Sequence, residues 1–207
     1  MPQPTTPVEL LEGRTKPDIV NVPERLVLSL SGASAPDSEE FAEAVGALYG
    51  VAYTLRFARK KAGRDPFKVG TLEGEWWAEG DDLPADRVPD RSSWRWRLRS
   101  AVPSDTTEEE VAEAVEQAVT RKGGKLEGSD VALEVRLVSL PSETMARILH
   151  RGPYDAEAES FRVMDAYLSE QGLERRPGHL EVYLSDPSRT SRDKLRTVLL
   201  AAVAPSG

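Results

Sequence analysis

His179-Leu180-Glu181-Val182-Tyr183-Leu184-Ser185-Asp186-Pro187 is the stretch on which the reading of this chain turns. Leu180, Val182 and Leu184 alternate with His179, Glu181 and Tyr183, which is the period of a β-strand. Side chains two apart in a strand share a face. One face is therefore aliphatic and packs into a core, while the other carries an imidazole, a carboxylate and a phenol in line. Asp186-Pro187 ends the strand. The polar face either meets solvent, as on many antiparallel strands, or lines a cavity in which the carboxylate works.

Outward from this strand, Leu195 to Ala201 reads as a closing strand. Upstream lies a helix with the stripe Phe161, Met164 and Leu168, ended by Gly172 and entered through a tight turn at Arg151-Gly152-Pro153-Tyr154-Asp155. Two strands precede it, Leu133 to Val138 and Met145 to His150. The first half of the chain runs in the same order. Leu26 to Gly32 is a strand ending at glycine. Asp37-Ser38-Glu39-Glu40 resembles a capping box, with Asp37 accepting from first-turn amides and Glu40 reaching back. The helix behind it runs to about Lys60 on the stripe Phe41, Val45, Leu48, Tyr49, Ala52 and Leu55. Tyr49, Tyr53 and Phe57 add an aromatic row at a spacing of four. Phe67 to Trp77 is a strand broken by Gly70 and Gly74, which mark a bulge or a close backbone approach. Ala78 to Ser93 is a polar loop, expected to be mobile. Trp94-Arg95-Trp96-Arg97-Leu98-Arg99 alternates strictly, and its arginine face either binds an anion or is solvated. Thr106-Thr107-Glu108-Glu109 caps a further helix with the stripe Val111, Ala114, Val115 and Ala118, which Gly123-Gly124 ends.

The two halves echo each other. A separation of 120 residues links Gly32 to Gly152, Phe41 to Phe161 and Leu48 to Leu168. Each helix is followed by a glycine-punctuated strand holding Leu-Glu, Leu72-Glu73 in one half and Leu180-Glu181 in the other, and then by a closing strand. The expected fold is α+β: two pseudo-symmetric strand–helix–strand–strand modules with antiparallel sheets and a ligand groove between them. The expected boundaries are a lead-in over 1–20 and a single domain over 21–203. That domain divides into module 1 (21–104), a linking helix (105–124) and module 2 (130–203).

The 207 residues suit one large domain with a substantial core. The Met1-Pro2-Gln3-Pro4-Thr5-Thr6-Pro7 start lacks the basic and apolar segments of a signal peptide, and no apolar run is long enough to cross a membrane. Absence of cysteine rules out disulfides and thiol catalysis and fits a reducing cytoplasm. A net charge of −8 argues against nucleic acid or an anionic membrane as partner. With two histidines, His150 and His179, and no carboxylate cluster at ligand spacing, no metal site and no cofactor are expected.

The pair of motifs His150-Arg151-Gly152-Pro153-Tyr154-Asp155 and His179 to Pro187 resembles the GyrI-like small-molecule-binding family. Val22-Pro23, Leu72-Glu73-Gly74 followed by Trp76, and Ala101-Val102-Pro103 are similar to its stand-alone, two-repeat branch, and the resemblance spans roughly residues 17–203. It implies two SHS2-like modules side by side with a groove at their junction. The family includes effector domains of transcription regulators, multidrug binders, and a subfamily that hydrolyses DNA-alkylating cyclopropane-bearing compounds in an aromatic cage. Its recurrent strand glutamate matches Glu181, and the tyrosine after it matches Tyr183. Leu200, where the family often has arginine, and Arg151, often apolar elsewhere, are departures that leave ligand preference open.

On this resemblance the chain is expected to capture planar hydrophobic or cationic xenobiotics. Trp76, Tyr53, Tyr154, Tyr49 and His179 are the candidate ligand-binding residues, and Glu181 and Tyr183 the candidate catalytic ones. In a hydrolase, Glu181 activates water while Tyr183 or Tyr53 donates to the leaving oxygen. In a non-catalytic sensor or sequestering protein, the same carboxylate pairs with a lipophilic cation held by the aromatic walls. A protein-interaction inhibitor is a third reading, which the dispersed charge disfavours. His150, at a turn, is expected to cap backbone groups. The expected state is a monomer or homodimer.

Overall fold

The computed structural model describes residues 5–64, 66–78, 93–120 and 129–207. The expected polar loop (78–93) and the Gly123-Gly124 helix end fall outside the described residues, apart from Ala78 and Ser93. In chain order the elements are α1 (Val8–Leu11), β1 (Asp18–Val22), β2 (Arg25–Gly32), α2 (Glu39–Lys61), β3 (Glu73–Ala78), β4 (Trp94–Val102) and α3 (Glu108–Thr120). Then follow α4 (Ser129–Ala132), β5 (Arg136–Leu140), β6 (Glu143–Arg151), α5 (Glu157–Glu170), β7 (Leu173–Arg175), β8 (His179–Tyr183) and β9 (Arg196–Pro205).

Among the described residues, eight strands form one antiparallel sheet in the order β1-β6-β9-β8-β3-β4-β2-β5, and β7 pairs separately with β9. The order is a pseudo-palindrome. β1 answers to β5, β2 to β6, β3 to β8 and β4 to β9, with the axis between β3 and β8. The outermost strand of each half comes from the other half: β1 lies on β6 and β5 on β2. The α+β pseudo-symmetric architecture is as the sequence predicts, except that the two modules share a continuous sheet and exchange their edges.

The helix ends follow local chemistry. Ser38, not Asp37, caps α2: its Oγ accepts from the Phe41 amide at 3.1 Å. Glu39 and Glu40 open α2 and Arg59, Lys60 and Lys61 close it, which suits the helix dipole. At α3, Thr107 Oγ1 accepts from the Glu110 amide at 3.2 Å while Glu110 accepts from the Thr107 amide at 3.0 Å, a complete capping box. Gly172, at φ +67°, follows the end of α5 in the left-handed region that glycine adopts freely.

The second half of the sheet is covered on both faces. α2 and α3 pack on the first half over Leu28, Leu30, Leu48, Leu55, Trp96 and Leu98. α5 packs on the second half over Ile148, Met164, Leu168 and Leu199. On the reverse face, Leu180, Val182, Val198 and Leu200 form a third core with Leu10. This double burial explains why β9 reads as continuous aliphatic sequence: Val198 and Leu200 point one way, Leu199 and Ala201 the other.

From Thr5 onward the expected lead-in is a docked strap. Leu10 is fully buried. The Leu149 amide donates to the Arg14 carbonyl at 2.8 Å, Arg147 Nη1 to the Glu9 carbonyl at 2.7 Å, and Thr5 Oγ1 to the Lys68 carbonyl at 2.9 Å. Arg147 also grips Asp18 through two hydrogen bonds, of 3.0 and 2.6 Å. Proline and threonine in this segment disfavour a long helix or strand, but Leu10 supplies the apolar anchor.

The arginine face of β4 is not simply solvated. Glu75 accepts from Arg97 at 2.9 Å and from Arg99 at 2.5 Å, and the fully buried Glu73 accepts from Arg25 at 2.7 Å. Burial lowers the pKa of Arg99 against the pull of Glu75 and Glu73.

Leu10→Ala is expected to reduce unfolding free energy by about 2–5 kcal/mol, the range of buried leucine truncations. Chemical denaturation measures it, and a value near zero would mean that the strap contributes nothing to the fold.

Candidate functional site

The central strands β3 and β8 meet in a register that sets Gly74 opposite Glu181 and Trp76 opposite His179. Trp76, His179, Glu181 and Tyr183 therefore share the face that lies between α2 and α5. The repeat in the sequence pairs Glu73 with Glu181, but Glu73 stands opposite Val182 and faces the other side. A one-residue phase difference puts a side chain on the opposite face of a strand. Only the second half contributes its Leu-Glu carboxylate to this face.

Above these residues lies a cavity of about 1520 Å³. Phe41 and Tyr49 line it from α2, Trp76 from β3, Trp94 from β4, and Glu157 and Phe161 from α5, while Tyr154 closes in from the turn before α5. The rings brace one another. Phe41 lies 5.2 Å from Trp76, Trp94 meets Trp76 edge-on at 5.8 Å, and Tyr154 meets Tyr183 edge-on at 5.9 Å. Trp94 is thus a cavity wall, whereas Trp96 is core, at 3% exposed.

Glu181, 8% exposed, is the hub. His179 Nε2 lies 2.9 Å from its Oε1. Tyr183 shares a hydrogen bond with Glu181, and so does Glu157. Burial first, and then the neighbouring Glu181 charge, push the Glu157 carboxyl up to about 10. Glu157 is therefore a neutral acid at physiological pH. Its proton lies on the hydrogen bond to Glu181, because two facing carboxylates in an apolar pocket cannot both ionise. Burial also drives the Tyr183 phenol well above its ordinary value, and the Tyr154 phenol to about 12, in each case with Glu181 adding to the effect. Both phenols thus stay protonated.

Trp76 Nε1 donates to Tyr183 Oη at 2.9 Å, which leaves the phenol's proton for Glu181. Gly74 makes room for this contact. A Cβ there would lie 2.9 Å from Trp76 Nε1 and 2.9 Å from Tyr183 Oη. The close approach expected at Gly74 is real, and Gly70 makes another, against the backbone of Ala101. His179 is steadied from the side by Phe161 at 4.9 Å, and the guanidinium of Arg175 sits 4.8 Å over the other ring of that pair.

Of the residues singled out in the sequence, Glu181, Tyr183, His179, Trp76, Tyr154 and Tyr49 surround this one cavity. Tyr53 does not line it. Tyr53 sits outside, 49% exposed, with its ring 6.3 Å from Tyr49. His150 also lies elsewhere, within reach of Ser160 Oγ at 2.9 Å and the Pro153 carbonyl at 3.0 Å, as expected of a turn-capping residue. Glu157 is the member that sequence reasoning missed. The available signal was its position one helical turn after Tyr154, which brings both onto the side of α5 that faces β8. Among the described residues, no group of three His, Asp or Glu side chains is placed to hold a metal ion, and no helix is long and apolar enough to cross a membrane.

A pseudo-symmetric α+β fold with an aromatic cavity at the junction of its halves defines a small-molecule-binding domain. The model of the GyrI-like small molecule binding domain matches residues 100–203, and the chain belongs to that family. It is similar to an uncharacterized conserved protein from Listeria innocua, at 31% identity over 93% of this chain and 94% of that one, with a TM-score of 0.82. It is also similar to a hydrolase from Listeria innocua, at 30% identity over 93% and 94% of the two chains, with a TM-score of 0.79. The EcmrR C-terminal domain shares the fold, at 12% identity over 92% of this chain and 98% of that one, with a TM-score of 0.55. No curated protein matches the chain.

The raised Glu157 carboxyl has a consequence for stability. A carboxyl whose folded pKa lies above its unfolded one favours the fold most at low pH, and that contribution is lost as pH rises towards the folded value. Wild-type stability is therefore expected to fall, relative to Glu157→Gln, between about pH 5 and about pH 10. Thermal unfolding of the two proteins across that range checks it, and parallel curves would contradict a buried neutral Glu157.

Proposed function

We propose that this protein captures planar hydrophobic or cationic xenobiotics in the aromatic cavity and hydrolyses those that carry a strained cyclopropane conjugated to a carbonyl. The observation that carries the reading is the hydrogen-bonded pair of Glu157 and Glu181, one neutral and one anionic, at the centre of an aromatic cage. Environments that push two carboxyls apart in pKa mark an acid and a base. The hydrolase from Listeria innocua, 30% identical over nearly the whole chain, supports catalysis in the same fold.

The step balances on these residues. Glu181 takes a proton from water as the water oxygen bonds to the ring methylene carbon. The strained carbon–carbon bond breaks, and its electron pair passes through the conjugated system to the carbonyl oxygen. Glu157 gives that oxygen a proton, so the net change is the addition of one water. The proton gained by Glu181 then returns to Glu157 along their shared hydrogen bond. Tyr183, held by Trp76, and His179 orient the Glu181 carboxylate. The cage holds the planar ligand near attack distance.

This assignment moves the proton-donating role from Tyr183 to Glu157, because the Glu157 carboxyl, at about 10, is the readier acid beside a phenol that burial drives well above its ordinary value. Tyr53 has no part in it, since it lies outside the cavity. The Glu181 carboxylate among aromatic walls suits a cation, so binding extends to flat cationic compounds that are not turned over.

Mass spectrometry of a panel of cyclopropane-bearing alkylators is expected to reveal a water adduct formed catalytically by the wild type. Glu181→Gln and Glu157→Gln should each slow it by about 10²–10⁴-fold, the usual weight of a general base or acid. Wild-type turnover should fall as pH rises through the range in which Glu157 ionises, since the neutral acid is the active form. Dye binding with no turnover by the wild type would leave a sequestering protein, and undiminished turnover by Glu181→Gln would overturn the mechanism.

A further inference from the structure

The outward face of α2 carries a stripe that neither the core nor the cavity uses. Gly46, Gly50, Tyr53 and Phe57 follow at spacings of four, three and four, the seam of a heptad pattern. Glu39 and Glu43 extend the stripe before Gly46, and Lys60 extends it after Phe57. All of these are exposed except Glu43, which is half-buried. Tyr53 and Phe57 are each 49% exposed.

The glycines lack an internal reason. A Cβ added at Gly46 or at Gly50 would meet no atom within 4 Å. Glycine inside a helix costs about 1 kcal/mol relative to alanine. Two such positions on one face, next to two half-exposed aromatics, describe a shallow hole and the knobs that fill it.

We infer that α2 pairs antiparallel with α2 of a second copy of this chain, across a two-fold axis that passes between Val51 and Ala52. In that register Phe57 of each copy faces Gly46 of the other, and Tyr53 faces Gly50. The acidic start of the stripe meets the basic end, with Glu43 level with Lys60. One patch meets itself, as a two-fold dimer requires. Size and charge are complementary in the same register, and opposed charges at the ends select antiparallel over parallel pairing. α2 uses its other sides for α3, α4, β2 and β4, so the stripe remains outward in the folded monomer.

Sedimentation velocity of the full chain over a concentration series tests this. The wild type is expected to dimerise reversibly. Gly46→Gln with Gly50→Gln should raise the melting temperature, since glutamine favours helix more than glycine at both positions, yet weaken the dimer at least about tenfold by blocking close approach. Glu43→Lys and Lys60→Glu should each weaken it, and the two together should restore it. A wild type that stays monomeric throughout overturns the inference, as does a dimer indifferent to the glutamine pair. A monomer whose dye affinity drops in Tyr53→Ser/Phe57→Ser would assign the stripe to the ligand cavity instead.

Discussion

The contact on which everything else depends is the antiparallel ladder between β3 and β8. Without it the chain would be two small α+β units, each with a short sheet and an open edge, and neither would have a cavity. With it the sheet is continuous, α2 and α5 stand on the same face, and the space between them becomes a ligand-sized chamber. The register of this ladder also sets the chemistry. Because Glu181 is opposite Gly74, its side chain has a neighbour with no bulk, and the space goes to the Trp76–Tyr183 hydrogen bond. Moving β8 by one residue would present Leu180 and Val182 to the chamber and send the carboxylate into an apolar core.

The site is built against the grain of stability. A carboxylate with little exposure needs donors to remain charged, and Glu181 draws on His179, Tyr183 and Glu157 together. Removing one partner alone leaves a buried polar group unsatisfied, which costs more than the net worth of a typical hydrogen bond. The reverse face solves a similar problem differently. There Glu73 pairs with Arg25, and Glu75 with Arg97 and Arg99. Permanent cations make that face a rigid support, while the chamber side relies on groups that can give up protons.

The sequence makes the strands and helices of both halves legible because their apolar periods are clean, as in Leu180-Glu181-Val182. Strand phase also puts His179, Glu181 and Tyr183 on one face, and the family resemblance adds Trp76, Tyr154 and Tyr49 as candidate walls. Three features escape it for physical reasons. Glu157 sits in the first turn of α5, where an acid is already explained by the helix dipole, so nothing in the local pattern signals burial. Tyr53 is one step too far along a row at spacing four. Each step of four turns about 40° around the helix, so a row that starts at the chamber with Tyr49 has left it by Phe57. The exchange of edge strands cannot be read from local pattern at all, since β1 and β5 are short amphipathic segments that would fit either half.

That exchange has a bearing on how the protein is made. Asp18 must wait for Arg147, and Arg25 for Leu140, before either edge is complete. While the chain emerges from the ribosome, the first half is left with β2 as a bare edge and with its own leading strand unpaired until most of the polypeptide exists. Folding therefore has to be a late, concerted event governed by distant contacts, which slows it and lengthens the time that aliphatic strands are open to wrong partners. The two halves, for all their likeness, cannot be inherited, truncated or expressed as independent pieces without losing a strand each.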